Sequence, residues 1–251
     1  MSSGKRRGFG IDFGGTGIKG APVDLVEGEF AAERVRIKTP ASSTPENVAE
    51  VFAELLAEFP DVDGPIGVTV PGVVRHGIVR SAANIDDAWI GADADTLFTR
   101  ALKRPVHAVN DADAAGLAEV HYGAAKGQRG LVIVTTLGTG IGTAFVYDGM
   151  LLPNTELGHI EVDGHEAEAR MSNRVREEKE LSWKHWAKRL TTYYQTLERL
   201  FSPDLFLVGG GVSKDFEEFG PLIEVDTELR PATLLNKAGV IGAALYASEH
   251  A

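Results

Sequence analysis

Residues 8–24, GFGIDFGGTGIKGAPVD, decide the fold. An apolar run reaches a turn of Gly14, Gly15 and Thr16, then a second apolar run from Ile18 to Val23 ends at Asp24. The pattern predicts a β-hairpin whose bend faces phosphate, because glycine permits positive φ and the close backbone approach that anion binding by N–H groups requires. The same sentence recurs at residues 130–149, GLVIVTTLGTGIGTAFVYDG, with Gly138, Thr139 and Gly140 at the bend and Asp148-Gly149 at the end. One copy is compatible with accident; two predict duplicated lobes.

Elements of the α/β class fill the space between and beyond the hairpins. TPENVAEVFAELLAEF (44–59) places Val48, Val51, Phe52, Leu55 and Leu56 on one helical face, with Thr44 as cap and Pro45 in the first turn. PIGVTVPGVV (65–74) reads as a strand stopped by Pro71-Gly72. VHAVNDADAAGLAEVHYG (106–123) reads as a strand delivering Asn110-Asp111 to the head of a helix. Then follow a long helix in 181–204, a buried strand entering the glycine turn Gly209-Gly210-Gly211, and a closing helix in 236–250. The expected division is an N-terminal lobe, 1–112, completed by helix 239–251, and a C-terminal lobe, 113–238, with a cleft between them.

The composition removes several classes of function. At 251 residues with 43% hydrophobic, the chain can bury an ordinary core, and no run approaches a membrane span. The absence of an h-region near the first residues makes the cytoplasm the expected compartment. There is no cysteine, hence no disulfide, thiolate catalysis or cysteine-ligated zinc. A formal charge of −11 speaks against a protein that coats nucleic acid, while leaving room for a local basic patch.

Asp12 ends the first strand two residues before the glycine turn, with Lys19 beyond it. A carboxylate there suits Mg²⁺, directly or through water, while turn amides and the Thr16 hydroxyl face phosphate oxygens. The plainer alternative is that Asp12 caps the turn. Asp111 suits a proton acceptor: the helix N-terminus favours its ionised form, and Asp113 competes for the role of cap. Short polar residues suited to sugar hydroxyls are Asn84, Glu156, His159 and Glu168, for which a turn residue, a loop charge, a core imidazole and a solvated helix face are the plain readings.

DFGGTGIKG, LGTGIG and VGGGVS, in this order and spacing, resemble the two phosphate elements and the adenosine element of the sugar kinase/actin/Hsp70 superfamily. Within it, TELGHIEVDG resembles the ROK sugar kinases. The resemblance implies a two-lobed actin-like ATPase fold, duplicated from a ribonuclease H-like unit. It also implies Asp111 as catalytic base, a sugar site of Asn84, Asn110, Asp111, Glu156, His159 and Glu168, and phosphate or nucleotide contacts at Asp12, Gly14, Gly15, Thr16, Lys19, Gly138, Thr139, Gly140, Gly209, Gly210 and Gly211. Many members follow the Gly-His pair with a cysteine-rich zinc motif; here Gly158-His159 runs into IEVDGHEAEAR, so zinc is not expected. Members also tend to carry proline before the sugar-binding asparagine, where this chain has Ala83.

The cysteine-free C-terminal half resembles the actinobacterial polyphosphate glucokinases and glucomannokinases of that family. This implies Mg²⁺-dependent transfer from polyphosphate, and from ATP, to the 6-hydroxyl of glucose or mannose. A polyphosphate chain calls for cations along its exit, for which Lys19, Lys126, Arg129, Lys184 and Lys214 are candidates, each with an ordinary solvated charge as the alternative. An ATP-only hexokinase or fructokinase, and a non-catalytic sugar sensor, stay open; the family's repressors carry a DNA-binding segment ahead of the kinase-like part, and Asp12 comes too early for one. A homodimer is expected from the family, and the aromatic helix around Trp183, Trp186, Tyr193 and Tyr194 serves either a second subunit or its own lobe.

Overall fold

The structure, a computed structural model, describes residues 7–82 and 85–251. The chain divides into two compact units, one up to Ala118 together with Lys237–Ala251, the other Glu119–Asn236.

The first unit opens with β1 (Arg7–Gly14) and β2 (Gly17–Asp24), an antiparallel hairpin closed by the Gly14–Gly17 pair, with Gly15 and Thr16 at its tip. Next come β3 (Glu29–Phe30), β4 (Val35–Ile37), α1 (Pro45–Ala57), β5 (Ile66–Val70), the small β6 (Val74–Arg75) and β7 (Ile78–Val79) hairpin, α2 (Ala94–Leu102), β8 (Val106–Asn110) and α3 (Asp111–Tyr122). The main sheet runs β3-β2-β1-β5-β8, with β4 also on β2; β1, β5 and β8 are parallel. Thr44 caps α1 by accepting the Asn47 amide, and Pro45 opens it. One sheet face is packed by Phe9, Phe13, Phe52, Trp89 and Phe98; the last four are joined ring to ring, and Phe9 meets Phe59.

The second unit contains β9 (Leu131–Leu137), β10 (Ile141–Tyr147), β11 (Met150–Leu152), β12 (Glu161–Val162), β13 (His165–Glu166), α4 (Glu168–Met171), α5 (Asn173–Glu178), α6 (Trp183–Phe201), β14 (Leu205–Gly209), α7 (Phe216–Phe219) and β15 (Leu229–Pro231). Its sheet runs β11-β10-β9-β14-β15. An antiparallel hairpin, an antiparallel neighbour outside it and two parallel strands inside repeat the plan of the first unit. Trp186, Tyr193 and Tyr194 of α6 are fully buried with Phe206 and Phe219, so these aromatics serve their own core.

The last helix, α8 (Ala238–His250), belongs to the first unit. It lies so close to the sheet that a Cβ on Gly10 would stand 1.8 Å from the Val240 carbonyl oxygen, and one on Gly67 1.8 Å from that of Ala243. Glycine is required there for approach, not for conformation.

The hairpin tips depart from expectation. Gly14, Gly15, Gly138 and Gly140 all lie outside the left-handed region, so none is there for positive φ. A Cβ on Gly15 or Gly138 would meet nothing within 4 Å; these glycines leave open space above the turns. The third turn does need the conformation: Gly210 has φ 84°, with the Leu137 backbone 2.5 Å from where its Cβ would stand.

Candidate active site

In the first unit, the β1–β2 register sets Asp12 opposite Lys19. The Lys19 ammonium lies 3.1 Å from Asp12 Oδ2, and the Thr69 hydroxyl on β5 donates to Asp12 Oδ1 at 3.1 Å. Thr69 Oγ1 in turn accepts the Phe13 amide, and Thr39 donates to the Gly14 carbonyl at 2.6 Å. The carboxylate is thus held at the base of the hairpin tip, with its remaining lone pairs available to a hard cation. Capping of the turn is not its role: the tip closes on its own Gly14–Gly17 pair.

Asn110 and Asp111 come to the same end of the parallel strands as Asp12, one strand removed on each side of β5, a separation of about 10 Å. The cap of α3 is neither Asp111 nor Asp113 but Asn110: its Oδ1 accepts the amides of Ala112 at 2.8 Å and Asp113 at 3.1 Å, while Nδ2 donates to the Gly72 carbonyl. An amide side chain reaches both N–H groups from the last strand position, and Asp113 is buried within the first turn. Among the described residues, Nδ2 of Asn110 has no acceptor besides the Gly72 carbonyl, so one of its two hydrogens is unused. Asp111 is exposed, its Oδ1 accepting the Ala112 amide at 2.9 Å. Asn84 lies outside the described residues.

In the second unit, the Gly138–Gly140 tip is stapled by an internal bond from the Gly138 amide to the Gly140 carbonyl. Arg174, which the sequence reading missed, holds the tip from beside it. Its amide donates to the Gly138 carbonyl and its Nε to the Thr139 carbonyl, both at 3.1 Å. No local spacing links Arg174 to residues 35 positions earlier. Among the described residues, the amides of Gly15 and Thr16 at one tip, and of Thr139 and Gly140 at the other, find no acceptor in the chain. Such amides are anion donors in waiting. Gly209-Gly210-Gly211 ends β14, where Ser213 donates to the Gly210 carbonyl at 2.8 Å.

Glu156, His159 and Glu168 gather in the same unit. Glu168 is not on a solvated helix face: its Oε2 accepts the Ile141 amide at 3.1 Å, next to the second hairpin tip. His159 is exposed rather than a core imidazole; its Nδ1 is bonded to Glu166 and its Nε2 stands 3.6 Å from Glu156. The bond to Glu166, helped by Glu168 and Glu156, raises the His159 pKa above its ordinary value. Partial burial raises that of Glu156. The ligand atoms of His159, Glu166 and Glu168 lie within 4.8 Å of one another, and the His159–Glu166 hydrogen bond already joins two of them. Glu166 was not legible as a site residue, because the β12–β13 pairing that returns it to His159 is only two residues long.

A profile described as the ROK family matches residues 8–174. The chain belongs to the ROK family. The fold is accordingly the two-lobed actin-like ATPase fold of ROK sugar kinases. Over 242 residues, 96% of this chain and 91% of the relative, it is 48% identical to a polyphosphate glucokinase of Mycobacterium tuberculosis. It is similar to the solved inorganic polyphosphate/ATP-glucomannokinase of an Arthrobacter strain, with 50% identity and TM-score 0.91, covering 98% of this chain and 99% of that one. A ROK hexokinase from Thermus thermophilus shares 27% identity at TM-score 0.78, covering 97% and 98%. Among the described residues no helix is long and apolar enough to cross a membrane.

Proposed function

We propose that this ROK protein is a polyphosphate- and ATP-dependent glucokinase that phosphorylates the 6-hydroxyl of glucose, and of mannose beside it. The observation that carries the reading is likeness near 50% over nearly the whole chain to proteins named for this activity, in a chain that carries Asp111 directly after the end of β8.

In this reaction the sugar O6–phosphorus bond forms as the bond from phosphorus to the donor's bridging oxygen breaks, and the hydroxyl proton passes to Asp111. The Asn110 amide, Glu156, His159 and Glu168, together with Asn84, orient the sugar through its hydroxyls. The free amides at Gly15-Thr16 and Thr139-Gly140 hold donor phosphates, and Gly209 to Gly211 border the nucleotide when ATP is the donor. Asp12 fits magnesium, being anionic, only partly exposed and positioned by Thr69 and Lys19. When bound there, the ion neutralises donor charge. Zinc has no part in the reading. A homodimer in the cytoplasm completes it, and the exposed Tyr147, Met150, Leu152 and Leu200 of the second unit offer apolar surface for a second copy.

The test is hexose 6-phosphate formation from glucose with Mg²⁺, comparing nucleotide-free polyphosphate with ATP. Product from polyphosphate alone is the expected result; product from ATP alone leaves a plain hexokinase, and none from either leaves a sugar sensor.

A further inference from the structure

The strand β4 carries a motif the function above does not absorb. Residues 34–38 read Arg-Val-Arg-Ile-Lys: within β4, Val35 and Ile37 pack onto the core, so Arg36 between them lies on the opposite face, and Arg34 and Lys38 flank the strand at its two ends. In extended chain, residues two apart stand about 6.7 Å from one another. Among the described residues β4 pairs only to β2, at the edge of the sheet, and its register sets Arg36 opposite Lys19, which is itself opposite Asp12. Directly paired residues share a face, so Asp12, Lys19 and Arg36 form one row across it.

The row leads to the first phosphate tip. The Arg36 guanidinium donates to the Thr16 carbonyl at 3.1 Å and occupies the space a side chain on Gly17 would take, 2.6 Å from that position. Beside it opens a pocket of about 340 Å³ lined by Gly15, Thr16, Lys38, Thr39 and Ser43 among others. Among the described residues Arg36 and Lys38 are exposed and neither has a carboxylate partner. In a chain of net charge −11, two cations left without counterions beside unsatisfied turn amides are matched to an anion that repeats its charge along a line.

We infer that Lys38, Arg36 and Arg34 form the track along which the unreacted part of a linear inorganic polyphosphate chain leaves the first phosphate turn. The inference rests on the donor proposed above and assigns it a path. Lys38 meets the chain in the pocket, Arg36 beside the tip and Arg34 beyond. A nucleotide, whose phosphates end at the nucleoside, has no use for the outer two.

The experiment compares wild type with the triple variant Arg34→Gln/Arg36→Gln/Lys38→Gln and the single variant Lys38→Gln, using tripolyphosphate, long-chain polyphosphate and ATP. The expected result is that the ratio of kcat/KM for long-chain polyphosphate to that for ATP falls at least tenfold in the triple variant. The advantage of long over short chains disappears with it, and the log–log salt dependence becomes shallower by about two units. Lys38→Gln, a change at an exposed side chain, shows part of the same loss, and Lys38→Arg restores it. Equal losses with both donors, a raised KM for glucose, or an unchanged ratio would overturn the track. Failure of the donor reading shows separately as a wild type that is silent with polyphosphate. Anisotropy of end-labelled polyphosphate then decides the track alone: binding lost in the triple variant upholds it, and equal binding overturns it.

Discussion

At the scale of single residues, the site separates groups that hold structure from groups left to meet a ligand. Asn110 spends most of its hydrogen-bonding capacity on the α3 cap and the Gly72 carbonyl, while Asp111 beside it stays exposed at the head of the helix. Asp111→Asn is therefore expected to lower kcat by about 10² to 10⁴ with either donor while glucose binding, read by calorimetry, stays within threefold. His159 gives a second expectation. Its folded pKa is raised above an unfolded value near 6.5 by the bond to Glu166, so the stability it contributes is full below about 6.5 and is lost as pH rises through the raised value. Thermal midpoints from pH 5.5 to 8.5 should show that decline, and Glu166→Gln should flatten it. The positions of Asp12 and of Asn110-Asp111 at strand ends, and of the two hairpin tips, were readable from the sequence because apolar runs ending at glycine turns or helix heads announce them. Partners such as Arg174 and Glu166 were not, since what joins them to Thr139 and His159 is tertiary folding, which leaves no period in the sequence.

At the scale of elements, both hairpins follow from paired apolar runs flanking a glycine turn. The reason for the glycines did not: the sequence suggested positive φ, whereas the backbone uses them for room. Two kinds of room can be told apart by experiment. Gly10→Ala and Gly67→Ala drive a methyl group into a carbonyl of α8 and are expected to cost about 2 kcal/mol or more in urea unfolding. Gly15→Ala adds a methyl to open space, so stability should change by less than about 0.5 kcal/mol while the KM for phosphoryl donor rises. A Gly15→Ala enzyme with unaltered donor KM would remove that turn from the phosphate site. The long helix α6 is legible for the opposite reason: its apolar face repeats over 19 residues, enough for the period to be unmistakable, and its aromatics stay in the core.

At the scale of the whole molecule, the repeated strand order explains why one motif occurs twice: each unit is a five-strand path with its hairpin at the same place. The two units are not contiguous segments, however. The first takes its last helix, α8, from beyond the second, and that helix covers the narrow strip of sheet at Gly10 and Gly67. Removing residues 238–251 should therefore unfold the first unit selectively, with amide exchange rising in β1 and β5 and remaining slow in β9 and β14; uniform exchange across both would show the units to be energetically inseparable. On the ribosome the same arrangement imposes a delay. The glycine-lined strip must wait for all of residues 119–236 to be synthesised, about ten seconds at ordinary elongation rates, before its covering helix emerges. During that interval the nascent first unit exposes apolar sheet that chaperones can recognise, while the second unit, whose strands and helices arrive in one uninterrupted stretch, is free to finish folding first.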